Sequence, residues 1–324
     1  MQKKLLFIAD SLKNIKPNSD SSLALAQAAL ENHWEVFWCE PNHVHILGSS
    51  IYVNNLSQLK SVSMSEINYD SNNKKILPLN FFSYCFVRKD PPFDENYKDL
   101  CWILSSQSEV KIVNPAENLL AFHEKALQWR ALAEGFLNQE NIIPTCLTNS
   151  IEVIEDYCNQ NQSLIQSGIV CKPWLGHGGE DVELFKDKNT FIKYLHDKQK
   201  YQKIRQRIMV QPFLSEIYTE GDRRVLVANG EIIGDFVRLP AQGKIASNLA
   251  QGGSALIKEM TPYQKEICLK VASFLKQKNI FFAGLDVIGS RIGEINITSP
   301  TGLRTFEILT GRNIAKKAFS LLVN

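Results

Sequence analysis

The sequence predicts an α/β (α+β) fold, with an open parallel βαβ unit at its N-terminal end followed by a mixed region of hairpins and helices. Three observations carry this. Apolar runs of strand length alternate with helical periodicity through the first third of the chain. Asn229-Gly230 separates two apolar runs, a strong short-range hairpin signal. A second pair of apolar runs, from Gly284 and from Gly293, meets across another Gly-containing turn.

Lys4–Asp10 reads as the first strand. Asp20-Ser21-Ser22 caps a helix through Asn32, with Leu23, Ala26 and Leu30 along one side. Trp34–Cys39 and Phe81–Val87 are the next buried strands, followed by a helix over Tyr97–Gln107 and a short strand over Lys111–Asn114. Ser49–Asn80 is polar and is expected as an irregular excursion with weak strands. His123–Asn138 reads as a helix. A strand near Thr145 and a capped helix over Ser150–Asn159 follow. Ile169–Trp174 and Val182–Phe185 are strands on either side of Gly176-His177-Gly178-Gly179. After a helix over Phe191–Gln199 and a strand over Ile208–Phe213, Arg223–Ala228 and Glu231–Arg238 form the Asn-Gly hairpin. Pro240–Ser254 is small and polar. A long helix from Pro262 to Lys278 precedes the last hairpin, and a final helix follows Gly311. There is no internal repeat.

At 324 residues the chain has room for two or three domains. A net charge of +2 argues against a nucleic-acid partner. No segment is long and apolar enough to cross a bilayer. The N-terminal run is short and ends at Asp10, so a buried strand is expected rather than a signal peptide. Seven scattered cysteines without a C-x-x-C pair point to the reducing cytoplasm, with no disulfide framework or zinc site.

The chemistry concentrates in two places. Asp286, Glu294 and Asn296 lie inside strand patterns, where carboxylates are costly unless something binds them. Residues two apart on a strand share a face, so Glu294 and Asn296 point the same way. Asp286 joins them if it pairs with Glu294, a register that calls for an odd-length loop such as Gly289-Ser290-Arg291. Such a trio suits Mg²⁺, with Mn²⁺ as an alternative, and Mg²⁺ held this way serves a nucleoside triphosphate. The competing reading is an ordinary hairpin edge carrying solvated charges. The second place is Gly176–Gly179, whose backbone N–H groups could approach phosphate oxygens. It is not a Walker A loop, because no Gly-Lys-Ser/Thr follows. Lys172 and Lys125 are candidate phosphate cations.

Together these parts resemble the ATP-grasp superfamily. Nearly the whole chain resembles bacterial glutathione synthetase. The most specific segments are Arg88-Lys89-Asp90-Pro91-Pro92-Phe93-Asp94 and Glu294-Ile295-Asn296-Ile297-Thr298-Ser299-Pro300-Thr301. Asn114-Pro115, Glu124-Lys125, Lys172-Pro173, Gly221–Val227, Arg238-Leu239-Pro240 and Asn248–Gly253 add to them. The resemblance implies an ATP-grasp fold behind an N-terminal α/β domain, with boundaries at 1–122, 123–204 and 205–324 and a mobile loop at 240–254. It implies an ATP-dependent carboxylate–amine ligase that joins γ-glutamylcysteine to glycine through an acyl phosphate, as a homo-oligomer, dimer or tetramer.

By the same resemblance, ATP would be held by Lys125, Lys172, Gly176, His177, Gly178, Gly179, Gln211, Phe213 and Leu214, with Asp222 on the ribose. Asp286, Glu294 and Asn296 would hold the metal. Arg88, Arg224, Arg238, Asn296 and Ser299 would hold the dipeptide, with Arg224 and Arg238 serving catalysis. Three positions depart from the family pattern. Ala246 stands where members carry a lid Arg, Asp10-Ser11 where they show Asp-Pro, and Arg304-Thr305 where they show Arg-Glu. All three fall near the dipeptide or the lid. Ligation of another peptide or amine, or phosphotransfer without an amine, therefore stand as alternatives.

Overall fold

The computed structural model of the chain describes residues 3–323 except positions 74, 108, 177, 180, 202–206, 243–246, 248, 250 and 251; the side chains of 72, 73 and 198–201 also lie outside the description. In the first region, β1 (Lys4–Ala9), α1 (Ser21–Glu31) and β2 (Glu35–Cys39) form the expected βαβ unit, with Asp20 capping α1 by accepting from the Leu23 N–H. β3 (Val44–Leu47), β4 (Ser50–Val53), β5 (Leu56–Val62), β6 (Ile67–Asn73) and β7 (Leu77–Pro78) follow, then β8 (Tyr84–Arg88), α2 (Glu95–Ser105), β9 (Lys111–Val113) and α3 (Ala116–Ala121). The main sheet runs β6-β5-β2-β1-β8-β9, and β3-β4-β7 make a small separate sheet.

Ser49–Asn80 is thus more regular than its polarity suggests. β5 pairs antiparallel with β2, so the parallel sheet acquires a mixed edge. Leu56 and Leu59 are buried while their neighbours face solvent, and long-range pairing rather than local composition orders the segment.

The middle region carries α4 (Leu127–Ala133), β10 (Cys146–Thr148), α5 (Ile151–Gln160), β11 (Ile169–Pro173), β12 (Glu183–Phe185), α6 (Lys188–Tyr201) and β13 (Ile208–Pro212). The helix expected over His123–Asn138 shrinks to α4. Gly135 takes a left-handed φ of 79° and stops it, and the preceding residues make a turn instead. The sheet β10-β13-β11-β12 has its own small core, with Ile169, Cys171 and Val210 packed on Ile154, Phe191 and Leu195.

The last region contains α7 (Glu216–Thr219), β14 (Asp222–Ala228), β15 (Glu231–Leu239), β16 (Ser254–Leu256), α8 (Pro262–Gln277), β17 (Phe282–Ile288), β18 (Arg291–Asn296), α9 (Leu303–Thr310) and α10 (Ile314–Val323). The sheet order is β16-β15-β14-β17-β18. Asn229 and Gly230, with φ of 50° and 80°, make the tight turn between β14 and β15. Val225, Val227, Leu285 and Ile295 share a core with α8 and with the N-terminal sheet, so the first and last regions are packed as one body. α9 is an addition to the elements expected from the sequence, which places a final helix only after Gly311.

The last hairpin pairs Asp286 with Glu294, but not through an odd-length loop. The connection is the two-residue turn Gly289-Ser290, with Ile288 opposite Arg291 and Val287 opposite Ile292. The ladder then shifts, and Gly293 is the extra residue of a β-bulge that brings Glu294 opposite Asp286.

Candidate functional site

A cavity of about 580 Å³ lies between the four-stranded and five-stranded sheets. Strand registers decide what it sees. On β14, Asp222 and Arg224 are two apart; Asp222 sits opposite Arg238, and Arg224 opposite Asp286. Asp286 sits opposite Glu294, and Gly284 opposite Asn296. Six polar side chains therefore share one face of the sheet and line the cavity. Gly284 is required for close approach: a Cβ there would lie 2.4 Å from Arg224 Nη1.

The two arginines lie in a compact ion cluster. Arg238 Nη2 bonds the Asp222 carboxylate and sits 2.8 Å from Asp286 Oδ1. Arg224 Nε lies 3.0 Å from Asp286 Oδ1, though too obliquely to count as a hydrogen bond. Ser247, the described residue nearest the middle of the 240–254 segment, donates to Asp222 Oδ2 at 2.7 Å. Asp222 is thereby engaged on the arginine side of the cavity. The lid positions Lys244 and Ala246, and His177 of the glycine-rich loop, lie outside the described residues.

At the other end, Lys125 Nζ donates to three backbone carbonyls at and just past the end of β11: Pro173 at 2.9 Å, Trp174 at 3.0 Å and Gly176 at 2.5 Å. It ties the glycine-rich segment down. Burial lowers its pKa to about 8, against the pull of Glu294. His123 stacks on Trp174 at 3.9 Å, and burial holds its imidazole down at about 4. Lys172, on the same face of β11 as Val170, lines the cavity with Gly176, Gly178 and Gly179. Ile143, Val170, Val182, Phe213, Leu214 and Ile217 make an apolar slot beside them. Gln211 is buried there and donates to Thr145 Oγ1 at 2.7 Å.

Glu294 separates the two ends. Among the described residues no hydrogen bond or ion pair engages its carboxylate, and burial raises it to about 7 against the pull of Lys172. Asn296 Nδ2 donates to Asp286 Oδ2 at 3.2 Å and to the Gly284 carbonyl at 3.3 Å, leaving its own carbonyl oxygen as an acceptor. Two carboxylates and one amide oxygen on one face fit a hard cation. No trio of His, Cys, Asp and Glu alone converges anywhere among the described residues, so the fit here depends on the Asn296 carbonyl as third donor.

Arg88 is not brought to the cavity wall. Its guanidinium is buried, donating to Ser22 Oγ at 3.0 Å and to the Pro300 carbonyl at 2.9 Å. It positions the Pro300 turn, while Ser299 lines the cavity. Two supporting residues escaped the sequence reading. Glu124 Oε1 accepts from the N–H groups of Ile297 and Thr298, at 2.7 and 2.9 Å, and from Thr298 Oγ1 at 2.8 Å. Asn114 bonds Phe282 and Ile297, fixing the open end of the last hairpin. Both stood inside quoted motifs, but only the contacts show what they hold.

Residues 135–311 match the ATP-grasp domain of prokaryotic glutathione synthetase, and residues 3–119 match its N-terminal domain. The chain belongs to the prokaryotic glutathione synthetase family. A glutathione synthetase of Prochlorococcus marinus subsp. pastoris is 32% identical across 99% of both chains. One from Nostoc sp. is 29% identical, over 96% of this chain and 95% of that one. Among solved structures, D-cycloserine synthetase superposes with a TM-score of 0.67 at 11% identity, over 98% of both chains. A RiPP-associated ATP-grasp ligase of Chryseobacterium gregarium, in complex with ADP and a leader and core peptide, gives 0.65 at 16% identity, over 99% and 96%. These likenesses establish the ATP-grasp fold. As a member of the glutathione synthetase family the chain is an ATP-using ligase, and no helix among its described residues is long and apolar enough to cross a membrane.

Proposed function

We propose that this enzyme joins γ-glutamylcysteine to glycine, converting ATP to ADP and phosphate. The observation that carries the reading is the single cavity in which lysines and glycines at one end meet two arginines at the other, with Asp286, Glu294 and Asn296 between them. Adenine would lie in the slot formed by Val170, Phe213, Leu214 and Ile217, with the phosphates towards Lys125, Lys172 and Gly176–Gly179. Asp222 is proposed less as a ribose ligand than as the anchor of Arg238, because Arg238 and Ser247 already take its carboxylate.

Asp286, Glu294 and Asn296 would hold Mg²⁺, which when bound neutralises phosphate charge. The substrate's C-terminal carboxylate attacks the γ-phosphorus and the bond to ADP breaks, giving an acyl phosphate. Glycine's amine then attacks the acyl carbon; the C–N bond forms, phosphate leaves and the amine loses a proton. Arg224 and Arg238 orient the acid and stabilise its developing charge. Ser247 and Leu249 cover this end and limit water, the competing nucleophile. The regions 1–122, 123–204 and 205–324, the first and last on one shared core, would work together in the cytoplasm, within a homo-oligomer.

Thr305 on the cavity wall favours a second reading, in which a different amine replaces glycine. Phosphate release with ATP, Mg²⁺ and γ-glutamylcysteine, with and without glycine, tests the proposal. Glycine-dependent release with glutathione as product is expected; release that ignores glycine points to the second reading.

A further inference from the structure

γ-Glutamylcysteine, the acid substrate proposed above, brings an α-ammonium as well as carboxylates. A cation on a ligand needs an anion on the wall. Five carboxylates among the described residues line the cavity: Asp90, Glu124, Asp222, Asp286 and Glu294. Four are committed. Glu124 holds Ile297 and Thr298. Asp222 holds Arg238 and Ser247. Asp286 faces Arg224, Arg238 and Asn296. Glu294 lies at the phosphate end, in the field of Lys172 and Lys125.

Asp90 is different. It is exposed, and among the described residues no hydrogen bond or ion pair takes its carboxylate. Its backbone is nevertheless fixed, because its N–H donates to Asp10 Oδ2 at 2.8 Å and Lys89 Nζ donates to its carbonyl at 3.2 Å. The nearby cations are spoken for: Arg88 bonds Ser22 and Pro300, and Lys89 turns to the carbonyls of Asp90 and Pro92 and to Asp94. Asp20 adds a second carboxylate in the field of Arg88. The surroundings are therefore short of mobile positive charge. Ser299-Pro300 runs from here towards Arg224: Ser299 Oγ donates to the Arg88 carbonyl at 3.5 Å, and Pro300 packs beside Gly284, against which Arg224 lies. The α-ammonium stands at the γ-glutamyl end of the dipeptide, away from the C-terminal carboxylate that Arg224 would hold, so an anion at the other end of the Ser299-Pro300 run suits it.

We propose that Asp90 receives the α-ammonium of the acid substrate and makes the enzyme select γ-glutamyl acids with a free α-amine. The assignment rests on the ligase reading above. The test compares γ-glutamylcysteine with glutarylcysteine, which lacks only the α-amine. With the unsubstituted enzyme, glutarylcysteine should show a KM roughly tenfold higher, the scale of one lost charge-assisted bond. Asp90→Asn should raise the KM for γ-glutamylcysteine by a similar factor, leave the KM for glutarylcysteine unchanged and leave the KM for ATP within twofold; Asp90→Glu should recover part of the loss. Equal effects on both acids, or none, overturn the Asp90 assignment alone. Absence of any glycine adduct from γ-glutamylcysteine with the unsubstituted enzyme overturns the substrate reading, and the assignment with it.

Discussion

The two ends of the cavity are built on different principles. At the nucleotide end a lysine holds backbone: Lys125 grips three carbonyls of the segment leading to Gly176, and the strands behind it have their own small core. At the acid end side chains hold side chains: Arg224 and Arg238 grip Asp222 and Asp286 on a sheet whose core is continuous with the N-terminal sheet. The first end is a loop tied to a separately packed unit. The second is a rigid charge cluster that cannot shift without disturbing the main core. An ATP-grasp ligase is well served by this division, since the nucleotide must be enclosed and released while the acid must be held still.

The contrast can be broken most severely between the two ends. Glu294→Gln removes the carboxylate that no residue engages, so kcat should fall by about a hundredfold or more. Thermal stability should hold or rise, because a carboxyl group whose ionisation burial penalises is replaced by a neutral amide of the same shape. Melting curves recorded beside phosphate release check both halves; a variant that loses activity only by unfolding contradicts the assignment.

Lys125→Met should raise the KM for ATP roughly tenfold and leave the KM for the acid nearly unchanged, because its three carbonyl partners belong to the nucleotide end. Ser247→Ala should do the reverse on a smaller scale. It strips one of two donors from Asp222, so the KM for the acid should rise a few fold, and more ATP should be hydrolysed per amide formed. If both variants shift both constants together, the two ends are not separable.

The pH dependence sharpens the same contrast. Lys125 has a folded pKa of about 8, below its ordinary value. Between that value and the unfolded one, the unfolded chain binds more protons, so this group's contribution to stability rises with pH across that window. Phosphate binding needs the charged form, so affinity for an ATP analogue should weaken as pH rises through about 8, with proton uptake on binding. Calorimetry in two buffers of different ionisation enthalpy measures that uptake. His123, held near 4, works in the same sense over a lower window: it is neutral in the fold at pH 7, and its contribution is lost as pH falls from the unfolded value towards about 4.

Much of this was legible in the sequence, for physical reasons that also mark the limits. Strand alternation places Glu294 and Asn296 on one face, and leaves the pairing of Asp286 with Glu294 conditional on the loop. The structure meets that condition by another route than an odd-length loop, because the bulge at Gly293 adds one residue and alternation counts only parity. The βαβ start was clear from periodicity, whereas β5 and β6 were hidden, since their order comes from pairing with β2. Arg88 is a dipeptide ligand by the family resemblance; its motif does not reveal that its guanidinium is buried on Ser22 and Pro300, away from the cavity wall. Glu124 stands in a family-like pair with Lys125, and nothing local indicates that it caps the backbone of Ile297 and Thr298.

One isotope measurement bears most directly on the joining of acid to amine through a phosphorylated intermediate. γ-Glutamylcysteine labelled with ¹⁸O in its C-terminal carboxylate is turned over with ATP, Mg²⁺ and glycine, and the inorganic phosphate is weighed by mass spectrometry. Transfer of one labelled oxygen to each phosphate, in step with glutathione formation, is the expected result. Unlabelled phosphate, or labelled phosphate without glutathione, would contradict it.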